Sequence, residues 1–287
     1  METVEFGKTG RKVSRVGFGG APAGLPNYLR PYDPANPDAR GPVLAAIRRA
    51  VELGINYFDT APGYGDGDSE RLIGEGLEGV PSEELFIATK VGIWKENNVR
   101  ESLEQSLKNL KRDYVDLLQV HGTCYNAEHA ERILRKGGYL DQMEALKSEG
   151  LIRHIGFTAE AYNQAYYDIF AAADRFDSVQ LLYNVAHQHA ADFAWKSGPV
   201  FEAEEKGLGI AVMRSTTSGL LQKWIAAANP ENTFNYTPAI VQFQFSNPLV
   251  DVALLGMGRP ETVEKNVALC NDTSGRFDLE EFFNRRV

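Results

Sequence analysis

Cysteine is scarce in this sequence of 287 residues, which contains two, Cys124 and Cys270. Two such residues provide neither a disulfide framework nor a metal-binding motif, as expected in a reducing compartment. No apolar stretch approaches the length that crosses a membrane, and the first residues lack the charged start and apolar run of a signal peptide. We therefore expect a cytoplasmic protein without a membrane partner.

Positive charge is also in short supply. The sequence has 30 Lys and Arg residues against 39 Asp and Glu residues, which gives a net charge of −9 at pH 7. Nucleic acids and anionic membranes favour a basic face, so we expect neither as a partner, although a local basic pocket for a phosphorylated ligand remains compatible. His187 and His189 lie close together in the sequence without a third ligand, and we expect no metal site.

Short apolar runs alternate with amphipathic segments along the whole chain. The runs are rich in Val, Ile, Leu and Phe without strict alternation, a pattern typical of strands buried on both faces. The candidate strands are Val16–Phe18, Ile55–Phe58, Leu85–Thr89, Val115–Val120, Ile152–Phe157, Ser178–Leu182, Gly209–Met213 and Val252–Leu255. The candidate helices between them include Pro42–Leu53, Asn98–Leu110, Tyr139–Glu149 and Ala161–Ala173.

This alternation predicts the α/β class and a closed (β/α)₈ barrel, with a doubly wound sheet as the alternative. No linker of domain-boundary composition interrupts the chain, so we expect a single domain over residues 1–287. The segments Val4–Phe6 and Val13–Ser14 flank Gly-Lys-Thr-Gly and predict a β-hairpin that caps one end of the barrel.

Three different ionisable residues end three successive candidate strands: Asp59, Lys90 and His121. In a barrel the carboxyl ends of the strands converge on one mouth, where the active site is built. Tyr64 follows Asp59 on a Pro-Gly turn and is placed at the same mouth. Each residue alone is compatible with an ordinary role as a cap, an ion pair or a half-buried imidazole. Together they predict a site that handles protons.

Carbonyl reduction is a reaction that this set of residues can support. A carbonyl group that accepts hydride develops negative charge on oxygen and needs a proton donor beside it. Tyr64 can donate that proton if the Lys90 ammonium lowers its pKa from about 10. Asp59 then pairs with Lys90, and His121 donates a hydrogen bond to the substrate oxygen.

These residues occur within strings that resemble the aldo-keto reductases: FGKTGRKVSRVGFGGAP, FDTAPGYGDGDSE, IATK, DLLQVH and GMGRPETVEKN. The resemblance runs from about residue 3 to residue 270. It implies a barrel that binds NADP(H) across its carboxyl end without a Rossmann domain. It also implies an ordered reaction, with cofactor bound first, hydride transferred to the carbonyl carbon, and a proton donated by Tyr64.

The resemblance also implies cofactor contacts. Thr158 and Gln180 are expected to bind the carboxamide of the nicotinamide. The loop that follows Met213 is expected to cover the pyrophosphate. Arg259 is expected to bind a 2′-phosphate, and a solvated surface arginine is the alternative. The full set is Gly20, Ala21, Asp59, Thr158, Gln180, Met213, Arg214, Ser215, Gly219, Gly256, Gly258, Arg259, Thr262 and Asn266. Many family members have an aromatic residue at Met213. Lys265 adds positive charge near the adenosine and favours NADP over NAD.

Substrate contacts are expected from the loops at the mouth. The candidates are Tyr28, Tyr64, Trp94 and His121, and the loops also carry Tyr125 and Trp195. Such aromatics suit a sugar ring or an aromatic aldehyde, and ordinary loop packing is the alternative. The expected partner is a small carbonyl compound; the sequence specifies neither that compound nor an oligomeric state.

The sequence thus favours an NADP(H)-dependent oxidoreductase that reduces an aldehyde or ketone. An NAD-dependent aldose dehydrogenase that works in the oxidising direction is one alternative. The other is a nucleotide-sensing scaffold on the same fold, as potassium-channel β subunits illustrate. The complete set of Asp59, Tyr64, Lys90 and His121 favours an enzyme, because a scaffold does not need a phenol beside an ammonium.

Overall fold

Eight parallel strands close into a barrel in the computed structural model, which describes residues 1–28, 31–94 and 98–284. Each barrel strand pairs with the next one along the chain, and the last pairs with the first. The barrel strands are β3 (Val16–Gly19), β4 (Tyr57–Asp59), β5 (Phe86–Gly92), β6 (Val115–His121), β7 (Ile152–Ala159), β8 (Ser178–Leu182), β9 (Gly209–Met213) and β10 (Val252–Gly256). The predicted (β/α)₈ barrel is confirmed, and the doubly wound alternative is wrong.

The predicted hairpin is also present. Strands β1 (Thr3–Glu5) and β2 (Lys12–Ser14) pair antiparallel, with Thr3 opposite Ser14. The hairpin lies across the amino-terminal end of the barrel. Phe6, which follows β1, is fully buried there, with its ring centroid 5.4 Å from that of Tyr57 and 5.3 Å from that of Phe86. These aromatic rings close the floor, so a ligand has to enter from the opposite, carboxyl end.

Helices cover the outside of the barrel. They are α1 (Ala21–Gly24), α2 (Pro37–Glu52), α3 (Asp68–Gly76), α4 (Val99–Leu110), α5 (Ala127–Leu134), α6 (Tyr139–Ser148), α7 (Gln164–Phe170), α8 (Pro199–Glu205), α9 (Leu220–Ala228), α10 (Thr237–Ser246), α11 (Pro260–Asn271) and α12 (Leu279–Asn284). Within the described residues, none of these helices is both long and apolar enough to span a membrane.

Two of the four predicted helices differ from their predicted bounds by more than one residue, and their capping residues account for where they start. The prediction started α2 at Pro42, but Asn36 caps the helix through the amide of Asp38, and Pro37 occupies the first turn. Proline is favoured at the start of a helix, and two prolines near one another leave the start ambiguous in the sequence. Helix α7 is shorter than predicted because the Asn163 side chain caps it through the amide of Tyr166.

Carboxylates at the amino-terminal ends of two barrel strands accept backbone hydrogen bonds from the neighbouring strand. Asp177 Oδ2 accepts from the amide of Ile155 at 2.8 Å, and Asp251 Oδ2 accepts from that of Ile210 at 2.8 Å. Their electrostatic surroundings differ. Asp177 is paired with Lys147, and the net effect of its hydrogen bonds and charges lowers its pKa to about 2 against the effect of burial. Burial instead raises the pKa of Asp251 to about 7.

This contrast predicts opposite pH effects on stability. A carboxyl group whose pKa rises on folding binds its proton more tightly in the folded state, so its contribution is lost between about pH 4 and pH 7 as the pH rises. Asp251→Asn removes that loss, and we expect its melting temperature relative to wild type to increase from pH 5 to pH 8. Thermal unfolding followed by circular dichroism at both pH values measures the difference.

The matched control is Asp177→Asn. The pKa of Asp177 falls on folding, so the carboxylate stabilises the fold above about pH 4 and loses that effect only as the pH falls toward 2. We expect this variant to be destabilised at both pH 5 and pH 8. If the two variants respond to pH in the same way, the difference in their surroundings does not control their titration.

Candidate active site

A buried ion pair lies at the carboxyl ends of β4 and β5. The Lys90 ammonium donates hydrogen bonds to Asp59 Oδ1 at 2.7 Å, to Asp59 Oδ2 at 2.8 Å and to the backbone oxygen of Thr60 at 2.8 Å. Both side chains are almost fully buried, with Lys90 1% and Asp59 3% exposed. The three acceptors account for all three protons of the ammonium. Lys90 is therefore held in one orientation below the mouth of the barrel.

Each of the two buried charges stabilises the ionised form of the other. Burial lowers the pKa of the Lys90 ammonium, but the combined effect of Asp59 and Tyr64 raises it, and the net direction is upward. Burial raises the pKa of Asp59, and the charge and hydrogen bonds of Lys90 oppose that effect. With an ammonium against both of its oxygens, the carboxylate stays ionised at neutral pH.

A glycine-rich turn carries Tyr64 to the same place. Gly65 has φ +67°, and a Cβ there would lie 2.1 Å from the backbone oxygen of Gly24, so this position requires glycine. The turn places the ring centroid of Tyr64 5.0 Å from Lys90 Nζ, so the charge of the ammonium acts on the phenol. Asp59 and Tyr64 thus meet Lys90 from two sides.

The pKa of Tyr64 shifts in the direction opposite to the sequence-based expectation. Burial raises it above its ordinary value, and the lowering effect of Lys90 is smaller. The sequence identifies the ammonium but does not show that the phenol is partly buried at the base of a cavity. Tyr64 is accordingly a fully protonated group at neutral pH.

His121 faces Tyr64 at the end of β6. The two ring centroids are 5.7 Å apart with the rings nearly perpendicular, and the Trp94 ring lies 4.9 Å from the imidazole. Burial and the charge of Lys90 lower the pKa of His121 to about 3. The imidazole is therefore neutral at physiological pH, so one ring nitrogen carries a hydrogen and can donate it.

Two buried glutamines extend the site and were in part missed from the sequence. Gln119 Nε2 lies 3.5 Å from Asp59 Oδ1 and 3.2 Å from Gln180 Oε1, and Gln180 Nε2 lies 3.5 Å from the sulfur of Met213. Gln180 was predicted as a site residue, whereas Gln119 was not. The signal for Gln119 was its position two residues before His121, which places both side chains on the inner face of β6.

A cavity of about 230 Å³ opens above these residues. Many of the predicted site residues line it: Ala21, Tyr28, Asp59, Tyr64, His121, Thr158, Gln180, Met213, Arg214, Ser215 and Gly256. Lys90 lies buried beside the lining residues. Apolar contacts that were not predicted come from Pro22, Leu25 and Leu254.

Other predicted residues are not part of the cavity lining. Trp94 is 57% exposed, and Gly20 packs behind Asp59, whose backbone oxygen accepts its amide hydrogen bond at 2.8 Å. Gly219 precedes α9, and a further group gathers at the first turns of α11: Gly258, Arg259, Thr262 and Asn266. Tyr125 is buried and donates to the backbone oxygen of Thr158 at 2.8 Å, so it is a packing residue and not part of the mouth.

Two hydroxyl groups in the cavity wall are already occupied by backbone groups. Thr158 Oγ1 donates to the oxygen of Gly122 at 2.7 Å and accepts from its amide at 3.1 Å. Ser215 Oγ donates to the backbone oxygen of Val212 at 3.2 Å. The hydroxyl protons of Thr158 and Ser215 are therefore used within the protein, whereas the NH₂ group of Gln180, which also lines the cavity, has only the Met213 sulfur as a partner among the described residues.

Two polar contacts span the rim of the cavity. The Arg214 guanidinium is 2.8 Å from Glu160 Oε1, and the hydroxyls of Tyr28 and Ser218 are 3.1 Å apart. Arg214 has φ +54°, a backbone conformation that is uncommon for residues other than glycine. The loop after β9 is thus tied on one side to the loop after β7 and on the other to the loop after β3.

Most of the sequence is similar to those of known proteins. The sequence model described as "Aldo/keto reductase family" matches residues 16–241. The chain belongs to the aldo/keto reductase family. L-galactose dehydrogenase of Arabidopsis thaliana is 30% identical over 93% of this chain and 88% of its own length. NADH-specific methylglyoxal reductase of Escherichia coli is 26% identical and covers 94% of each chain.

Solved structures of aldo/keto reductases share the fold. The enzyme from Klebsiella pneumoniae in complex with NADP and acetate matches with a TM-score of 0.72 at 21% identity, over 99% of this chain and 94% of that one. The holo form of an aldo-keto reductase from Bacillus halodurans matches with a TM-score of 0.72 at 22% identity, over 99% and 96%. The described residues of this chain contain no group of three His, Cys, Asp or Glu side chains that could hold a metal ion.

The buried ion pair of this aldo/keto reductase can be tested through stability. Lys90→Met leaves the Asp59 carboxylate buried without a cation, which we expect to cost about 3–5 kcal/mol. Urea unfolding measures the loss. The double variant Asp59→Asn/Lys90→Met removes both charges and is expected to recover most of it. A single variant within 1 kcal/mol of wild type would show that the buried carboxylate does not depend on this ammonium.

Proposed function

We propose that this protein is an NADP(H)-dependent oxidoreductase that reduces an aldehyde or ketone to the alcohol, with Tyr64 as the proton donor. The observation that carries the proposal is the position of the Lys90 ammonium, which is held against both oxygens of Asp59 and lies 5.0 Å from the centroid of the Tyr64 ring. A phenol in contact with a buried cation is suited to giving up its proton to an oxygen that develops negative charge.

The cavity wall has a group that fits a nicotinamide carboxamide. Gln180 is 1% exposed, and the Met213 sulfur, a weak acceptor, is the one partner of its Nε2 atom among the described residues. This buried donor suits a carbonyl oxygen. Exposed Arg259 and Lys265 at the start of α11 are placed for an anionic group near a helix amino terminus. When bound, the cofactor supplies the hydride to the carbonyl carbon.

The side chains divide the remaining work. Tyr64 holds the proton, since burial keeps it protonated at neutral pH. Neutral His121 donates a hydrogen bond to the substrate oxygen and orients it toward the phenol. After the proton leaves, the Lys90 ammonium stabilises the phenolate, and Asp59 keeps that ammonium in place.

A second candidate is an NAD-dependent sugar dehydrogenase. It is favoured by the 30% identity to L-galactose dehydrogenase, which extends over nearly the whole of both chains. The same residues support it, because Tyr64 as a phenolate beside Lys90 would accept the hydroxyl proton in the oxidising direction. The NADH-specific relative adds weight to NAD(H) as the nucleotide. The two candidates differ in the nucleotide and in the direction of hydride transfer.

Tyr64→Phe tests the proton donor. We expect turnover of a panel of aldehydes, ketones and aldoses to fall by about 10²–10⁴-fold, because the variant has no acidic proton. Cofactor fluorescence titration should give an unchanged Kd. Tyr236→Phe, which removes a hydroxyl bonded to Asn232 away from the cavity, serves as the control. Turnover by Tyr64→Phe within a few-fold of wild type would exclude Tyr64 as the donor, and tight binding without turnover by the wild type would favour a nucleotide sensor.

Arg259→Ala tests the nucleotide. If Arg259 binds a 2′-phosphate, the Kd for NADPH should rise about tenfold, in line with the loss of a charge-assisted hydrogen bond, while the Kd for NADH stays unchanged. Arg100→Ala removes one exposed arginine on α4 and controls for the change in net charge. Equal effects on both nucleotides, or a wild-type preference for NADH, would favour the sugar dehydrogenase.

A further inference from the structure

A continuous line of buried polar groups joins the catalytic ion pair to the cavity wall. It runs from Asp59 through the side-chain amide of Gln119 to the amide of Gln180, and it ends at the sulfur of Met213. Gln119 is 0% and Gln180 is 1% exposed. Because both amides are almost fully buried, their orientations depend mainly on their protein neighbours.

The order of donors and acceptors along this line has one consistent solution. An ionised carboxylate only accepts hydrogen bonds, so Gln119 must turn its NH₂ group toward Asp59. The same NH₂ group is 3.2 Å from Gln180, which must therefore turn its oxygen toward Gln119. The NH₂ group of Gln180 then lies against the sulfur of Met213, and both residues line the cavity. The charge on Asp59 thereby sets the hydrogen-bonding character of a wall two side chains away.

We propose that Gln119 is a positioning residue that makes Gln180 a donor, and not an acceptor, toward the cavity. The inference rests on the proposed function, in which Gln180 meets the carboxamide of the cofactor. It assigns to that contact a defined polarity: the N–H of Gln180 binds the carbonyl oxygen of the carboxamide. It also connects the group that anchors Lys90 with the group that recognises the nicotinamide.

The position of Gln119 allows this role to be separated from a role in stability. Its Oε1 atom is buried and has no hydrogen-bond partner in the described part of the chain. Leucine is shorter and branched, but it is apolar and of comparable volume, so Gln119→Leu removes an unsatisfied acceptor while it frees Gln180 to rotate. We expect the variant to unfold at the same denaturant concentration as wild type, within the error of the measurement. In the variant the Gln180 oxygen has lost its donor, and rotation of the amide brings that oxygen to the cavity.

The test compares two nucleotides that differ in the group facing Gln180. NADP⁺ carries a carboxamide, with both an oxygen and an NH₂ group, whereas its 3-acetylpyridine analogue keeps the oxygen and lacks the NH₂ group. Wild-type Gln180 donates to the oxygen that both share. In Gln119→Leu the rotated Gln180 needs a donor, which only NADP⁺ provides. We expect the Kd of the analogue to rise about tenfold and that of NADP⁺ to change less than threefold.

A double-variant cycle shows whether Gln119 acts through Gln180. Gln180→Leu has no amide to orient, so adding Gln119→Leu to it should leave both Kd values unchanged. Additive effects of the two substitutions on the ratio of Kd values would overturn the proposal, as would an unchanged ratio in Gln119→Leu. If Gln119→Leu fails to fold, Gln119→Met takes its place, since methionine is apolar, unbranched and similar in length.

Adenosine 2′,5′-bisphosphate, which lacks the nicotinamide, separates this proposal from the proposed function. It should bind wild type and all Gln119 variants equally. If neither it nor NADP⁺ binds the wild type, and NAD⁺ and adenosine 5′-phosphate fail as well, the proposed function is wrong and the role of Gln119 falls with it. If the nucleotides bind but the ratio does not shift, only the role of Gln119 is wrong. With a protein that prefers NAD⁺, the same comparison uses the analogue without the 2′-phosphate.

Discussion

The ion pair between Lys90 and Asp59 is the constraint on which the site depends. Taking two charges out of water costs several kcal/mol for each ion, and close pairing with further hydrogen bonds must offset that cost. Here the ammonium has Asp59 and the Thr60 oxygen as acceptors, so its three protons are all used. The pair in turn fixes the environment of Tyr64 and the orientation of Gln119. One buried contact therefore determines which groups around it donate and which accept.

The side chains inside the barrel change from apolar to ionisable along its axis, and this change makes the buried ion pair possible. At the hairpin end its interior is apolar and aromatic, with Phe6 against Tyr57 and Phe86. Two residues further along β4, the inner face carries Asp59, and β5 likewise passes from Phe86 through Ala88 to Lys90. Alternate residues of a strand face the same side. The inward-facing side chains of β4 and β5 therefore change from apolar packing residues to ionisable site residues within two to four positions along each strand. The apolar floor keeps water away from the ion pair on one side.

The features that could be predicted from the sequence are those that depend on order along the chain. The spacing of Asp59, Lys90 and His121 reflects one strand and one helix each time, so both the barrel and the convergence of these side chains followed from it. The direction of the pKa shift of Tyr64 did not, because it depends on burial produced by distant segments. The same holds for the pairing of Arg214 with Glu160, which joins two loops, and for Gln119, whose neighbours are Asp59 and Gln180 on other strands. The start of α2 was misplaced for a local reason, the choice between two prolines.

The closed floor has a practical consequence for handling the protein. The turn of the hairpin lies at the end of the barrel opposite the mouth, and Gly10 within it has no heavy atom within 4 Å of where a Cβ would be. In a variant whose exposed Cys124 is replaced by serine, a cysteine introduced beside this turn would anchor the molecule to an electrode or a bead through its base. Every immobilised copy would then present its entrance to the surrounding liquid, and the attachment chemistry would stay a full barrel length from the pocket.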